Sequence, residues 1–164
     1  MSRELAAIAL RSIVFTFVLP GTIAVYVPTA LLRDVTLDGA AAWRWLGLVP
    51  LAAGVAIYVW CVVDFATAGR GTPAPIDPPK ELVRRGLYRV TRNPMYVGVA
   101  SVLCGETWLF ASLPLAVYTL CVVAAFHLFV LLYEEPTLRR SFGEAYERYC
   151  AAVPRWIALP HRGR

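Results

Sequence analysis

Four stretches of this chain are nearly free of charge, and each is long enough to matter in a lipid bilayer. Residues 5–32 carry one charge, Arg11, and residues 43–68 carry Arg44 and Asp64 near their ends. Residues 94–111 are interrupted only by Glu106, and residues 114–133 hold His127 and no formal charge. At 1.5 Å per residue the first run reaches about 42 Å, more than the roughly 30 Å hydrocarbon core. It is too long for the apolar region of a signal peptide and lacks a small-x-small cleavage site, so it reads as a span. Across 164 residues the chain is 59% hydrophobic and only 16% charged. A soluble domain carries about 25% charge, so a water-facing globule and a disordered chain are both excluded.

The arginines orient the spans. Residues 69–93 hold Arg70, Lys80, Arg84, Arg85, Arg89 and Arg92, and the tail holds Arg139, Arg140, Arg148, Arg155, Arg162 and Arg164. The loop after the first run balances Arg33 and Arg44 against Asp34 and Asp38. About four crossings with both termini in the cytoplasm put both basic blocks on one side, as the positive-inside rule requires. The net charge of +5 therefore reads as cytoplasmic loops rather than nucleic-acid binding. Arginine outnumbers lysine fifteen to one, with Ala, Gly and Pro plentiful, a usage that points to a GC-rich bacterial genome and hence an inner membrane. Cys61, Cys104, Cys121 and Cys150 have neither metal nor redox spacing and read as buried thiols without disulfides.

The expected fold is a single all-α membrane domain over residues 1–164. Only Ser112 and Leu113 separate the last two runs, which predicts a tight helical hairpin with Pro94 and Pro114 in first-turn positions. Residues 71–79 contain four prolines and predict an extended strap. Leu138, Phe142, Ala145, Tyr146 and Tyr149 recur at helical spacing and predict an amphipathic tail helix, started by Glu134, Glu135 and Pro136 and ended by Pro154.

Soluble catalytic motifs are missing: there is no GxGxxG, GxxxxGK[ST], GxSxG or HExxH, and no metal site is expected. Ionisable groups in lipid are the informative ones, since they usually face a bundle interior or a cavity. Glu106 lies about 18 Å along its helix from Pro94. His127 precedes Glu134 by seven residues, about 10 Å along and on the same face of an ideal helix. The hairpin places Glu106 opposite residue 120, one to two turns from His127. It also brings the 86–98 segment beside Glu134 and Glu135. Carboxylates, tyrosines and helix N-terminal amides together suit a small zwitterion bearing an aromatic base.

Leu82-Val83, Gly86-Leu87-Tyr88 and Arg92-Asn93-Pro94-Met95-Tyr96-Val97-Gly98 resemble the isoprenylcysteine carboxyl methyltransferase and phospholipid methyltransferase superfamily of integral membrane methyltransferases. Glu134-Glu135-Pro136-Thr137-Leu138, Phe142-Gly143, Tyr146, Tyr149 and Val153-Pro154-Arg155 resemble its C-terminal motif. The resemblance implies S-adenosylmethionine as methyl donor, bound by Leu82, Val83, Tyr88, Asn93, Pro94, Met95, Tyr96, Glu134 and Glu135 in segments 69–93 and 134–157. Asn93 stands where the family pattern has histidine. The prenylcysteine branch has an arginine one turn before the glutamates, where this chain has Val130 and Leu131. The implied activity is methyl transfer to a lipophilic acceptor at the cytoplasmic face. His127 is the expected general base, having a near-neutral unperturbed pKa, and Glu106 would orient the acceptor. The competing reading is a non-catalytic membrane scaffold or lipid-binding protein that keeps the fold.

Overall fold

The computed structural model describes residues 14, 16, 18–37, 41–65, 67, 82 and 84–156. The start of the first apolar run, Val83 and the proline strap lie outside them. The described residues are helical, with no strand. Helix α1 runs Val18–Leu31, α2 Ala42–Asp64, α3 Pro94–Phe110, α4 Leu113–Phe142 and α5 Glu144–Ala152. Of these, α2 and α4 are long and apolar enough to cross a membrane, while α1 is apolar and shorter. Their outward faces are as greasy as their inward ones. Trp60, Val63, Leu120 and Leu132 are all exposed, which suits lipid and not water. Cys104 and Cys121 belong to these outward faces, so the expectation that they are buried fails; all four thiols are free.

The tightest pairing is α2 against α3, and glycine makes it possible. A Cβ on Gly54 would sit 2.5 Å from the Gly98 carbonyl oxygen, and one on Gly47 2.6 Å from that of Gly105. Built on Gly105, it would meet the Leu51 amide nitrogen at 2.6 Å. The two helices thus touch backbone to backbone at two levels, seven residues apart on each. In lipid, where apolar burial does not drive helices together, such close approach supplies van der Waals contact instead. Polar stitches add to it. Arg44 Nε donates to the Leu109 carbonyl (2.8 Å) and Trp108 Nε1 to that of Trp43 (3.1 Å), fastening the hairpin-tip end. The Thr107 and Thr119 hydroxyls meet at 3.0 Å between α3 and α4.

The hairpin is as short as expected. Ala111 takes a left-handed conformation (φ 49°), and the Ser112 hydroxyl accepts from the Leu115 amide as the cap of α4. The tail differs. Glu134 and Glu135 do not begin a new helix, because α4 continues through them to Phe142 and breaks at Gly143 (φ 50°). A proline inside a helix lacks an N–H and its ring clashes with the carbonyl four residues back. The chain relieves this with a π turn, Val130–Glu134, immediately before Pro136. The same device, Thr22–Tyr26, precedes Pro28 in α1. Tyr146, Tyr149 and Val153 then fold back onto Leu82, Leu138 and Phe142 as a small separate core.

Gly54→Ala should lower stability in detergent by about 1–3 kcal/mol, the usual cost of overpacking. Ala53→Leu, on the exposed side of α2, should change it by no more than about 0.5 kcal/mol. Equal effects on thermal unfolding would deny the seam its role.

Candidate functional site

The end of α2, the segment entering α3 and the far part of α4 converge at one end of the bundle. Gly86 (φ 55°) begins a short 3-10 turn, Gly86–Arg89, and a side chain there would run into Asp64 and the indole nitrogen of Trp60. Arg85 Nε donates to Asp64 Oδ1 at 3.0 Å, fixing the turn to α2. The Arg85 guanidinium also donates to the Thr67 hydroxyl. Tyr88 is thereby buried, its ring edge-on to Phe65 with centroids 5.6 Å apart. Its carbonyl accepts from the Tyr149 hydroxyl at 2.7 Å. Burial raises the Tyr149 phenol to about 12 and Tyr88 well above its ordinary value, so both stay neutral donors.

The tail clasps the residues before α3. The Arg92 amide donates to the Pro154 carbonyl (2.9 Å), while the Thr91 hydroxyl and the Asn93 side-chain amide both donate to the Arg155 carbonyl (3.0 Å each). A buried carboxylate closes the clasp. Arg155 holds Glu135 bidentately, at 2.7 Å and 3.0 Å, and Arg92 adds a third bond of 2.9 Å. The hydrogen bond to Glu135 raises the Arg155 guanidinium above its ordinary value.

The adjacent Glu134 points elsewhere, since successive helical residues diverge by about 100°. Its Oε2 accepts from the Tyr96 hydroxyl at 2.7 Å, and the Tyr96 ring packs on Phe126 with centroids 4.9 Å apart. These residues border a cavity of about 430 Å³, also lined by Tyr88, Arg92, Asn93 and Met95 on its polar side. Leu19, Ile23, Tyr58, Val99 and Phe129 line the apolar side. The volume falls in the range of small-molecule sites, about 300–1,000 Å³.

The structure therefore brings Tyr88, Asn93, Met95, Tyr96 and Glu134 of the expected set to one hollow. Pro94 is buried at the first turn of α3, next in the chain to Asn93 and Met95. Glu135 turns away into the clasp, and Leu82 packs on the tail core. His127 does not share Glu134's face. The π turn between them inserts an extra residue and rotates the helix by about 100°, undoing the seven-residue alignment. The imidazole is exposed, with Nδ1 accepting from Trp156 Nε1 at 3.1 Å. Glu106 lines a second cavity of about 380 Å³ that shares Pro20, Tyr58 and Val99 with the first. Its Oε2 has no partner among the described residues. Sequence reasoning did not single out Phe126 or the α1 wall, because one more aromatic or aliphatic residue in an apolar run carries no distinguishing pattern.

The family model described as phospholipid methyltransferase matches residues 42–145, more than half of the chain, including α2, the clasped segment, the hairpin and both glutamates. No curated protein and no solved structure matches the chain.

Glu135→Gln should destabilise the tail clasp by about 3–5 kcal/mol, because two guanidiniums lose their shared charge. Limited proteolysis should then cleave after residue 143 faster than in the parent. Unchanged cleavage would show that the ion cluster does not hold the tail.

Proposed function

Because the chain belongs to the phospholipid methyltransferase family, we propose that it is a membrane methyltransferase moving a methyl group from S-adenosylmethionine to a lipophilic acceptor at the cytoplasmic face. The observation that carries this reading is the Tyr96–Glu134 hydrogen bond of 2.7 Å in the wall of the first cavity. It joins the two sequence segments that resemble the superfamily, and it puts a carboxylate in the wall of a mostly apolar hollow. In this reading four helices cross the bilayer, both termini are cytoplasmic, and the cavity mouth opens to the cytosol.

The residues present fit such a donor. A carboxylate, aromatic faces and the N-terminal amides of α3 are the groups that a cationic, carboxylate-bearing, aromatic molecule needs. S-adenosylmethionine, when bound, supplies a methyl group on a positively charged sulfonium. Glu134 would complement that positive charge, and Tyr96, donating to Glu134, fixes the carboxylate's orientation. Tyr88 and Met95 form the wall, and Asn93 and Pro94 start α3, whose first-turn amides would meet the donor's carboxylate. Leu82, packed on the tail core, would hold the segment in place. Glu135 would act through the clasp, holding Arg92 and Asn93 where the cavity needs them.

The reaction is an in-line displacement, so alignment and exclusion of water do most of the work. The apolar walls serve the second purpose. For an amine acceptor, positive charge would pass from donor to acceptor as the methyl moves, and Glu134, in the cavity wall, would complement it at either end. The second cavity continues the first toward the opposite end along Tyr58 and Val99. In this reading it receives the acceptor's apolar body, and Glu106 faces that body. His127, turned outward against Trp156, would have no proton to take, and Glu134 is the lining carboxylate that can take one.

Incubation of the reconstituted protein with methyl-labelled donor and total lipids should give a labelled lipid. Glu134→Gln should lower kcat/KM about 100-fold or more, the scale of losing an electrostatic partner at a reacting centre, and Tyr96→Phe about tenfold. Glu106→Gln should raise the acceptor KM while leaving the donor KM unchanged. His127→Ala should keep turnover within about twofold of the parent; a loss of turnover with donor binding intact would return the proton-accepting role to His127. If S-adenosylhomocysteine gives no binding heat and no lipid is labelled, the scaffold reading wins.

A further inference from the structure

A smaller hollow of about 360 Å³ shares Tyr88 with the first cavity but is lined by a different chemistry. Arg84 and Arg89 come from the segment before α3, Arg148 comes from α5, and Tyr149 and Val153 complete the wall. Most arginines around it are satisfied. Arg85 pairs with Asp64, Arg92 and Arg155 with Glu135, and Arg139 with Glu147. Among the described residues, Arg84 and Arg89 have no acidic partner. Arg148 meets only Glu144 at 3.3 Å, through side chains 70% and 92% exposed. Such a solvent-bathed pair contributes little. Three arginines lining one concavity repel one another unless an anion lies among them, and guanidinium geometry matches phosphate oxygens.

The surroundings say which anion. The 3-10 turn carrying Arg89 rests against Asp64 and Trp60 in the last turn of α2. Trp60, Val63 and Val90 beside it are large, apolar and exposed. The hollow therefore opens where the greasy belt ends, at the level of lipid headgroups. Basic pockets at that level bind anionic headgroups. We infer that Arg84, Arg89 and Arg148 form a binding site for the phosphate of an anionic membrane lipid. The site needs only that the chain sits in a bilayer, and it does not rest on the methyl-transfer reading. Its occupant bridges the segment before α3 to the tail, in parallel with the Tyr149–Tyr88 hydrogen bond.

The test is equilibrium binding to the purified full chain in uncharged detergent. The probes are dihexanoyl-phosphatidylglycerol, dihexanoyl-phosphatidylcholine and inorganic phosphate. Saturable binding is expected for phosphatidylglycerol and not for phosphatidylcholine. At about fivefold per arginine, the triple variant Arg84→Gln, Arg89→Gln, Arg148→Gln should weaken it about 100-fold. A control triple, Arg33→Gln, Arg139→Gln, Arg140→Gln, removes the same charge from residues that do not line the hollow and should stay within about twofold. The single variant Arg89→Glu, checked for an unchanged melting temperature in phosphatidylcholine, should weaken binding at least about fivefold and serves if the triple does not fold. Equal loss in both triples would replace the site with diffuse surface attraction. Inorganic phosphate binding as tightly as the lipid would make it a soluble-anion site. Either result, or phosphatidylcholine binding as well as phosphatidylglycerol, overturns the inference.

Discussion

Where Gly54 meets Gly98 and Gly47 meets Gly105, α2 and α3 touch through their backbones, and the positions of the other parts follow from that contact. It sets the end of α2 beside the start of α3. Asp64 can then hold Arg85, the 3-10 turn can bury Tyr88, and the segment 91–93 lies where the tail can clasp it. The hairpin adds α4 antiparallel to α3, returning Glu134 to the level of Tyr96. A chain in lipid has no hydrophobic drive to select one helix pairing over another, so close approach at small residues must do the selecting.

Much of this was legible in the residues. Charge-free runs, arginine blocks and the two-residue gap at Ser112-Leu113 sufficed for an all-α membrane fold with a terminal hairpin. Tyr88, Asn93, Met95, Tyr96 and Glu134 were legible because their motifs flank that hairpin, and geometry forces its two ends together. Other features were hidden for definite physical reasons. Face assignment by 3.6-residue periodicity assumes an unbroken helix, and the π turn before Pro136 breaks that assumption, so His127 was placed on the wrong side. The glutamate pair was read as one unit, yet adjacent helical side chains cannot share a direction, and only Glu134 borders the cavity. The glycine seam had a signal in the matching seven-residue spacings 47–54 and 98–105, but a spacing becomes a contact only once the partner helix is known.

The two carboxylates show how one dipeptide can divide structure from chemistry. Glu135 is neutralised by two arginines and ties the tail to the core. Glu134 accepts from a single neutral phenol and borders the hollow. Beside them, Arg84 and Arg89, which have no acidic partner among the described residues, line a hollow on the other side of Tyr88, and the lipid-phosphate site inferred there would give the same end of the molecule an opposite preference. A cation-seeking cavity and an anion-seeking hollow separated by one buried ring would let the membrane surface and the small-molecule site act on the same segment.

The most direct measurement is an experimental structure of the protein with S-adenosylhomocysteine in a lipid nanodisc. The ligand's sulfur should lie in the hollow that Tyr96 and Glu134 border, with the amino acid moiety toward the α3 N-terminus. Ligand density at any other place on the molecule, with that hollow filled by lipid alone, would contradict it.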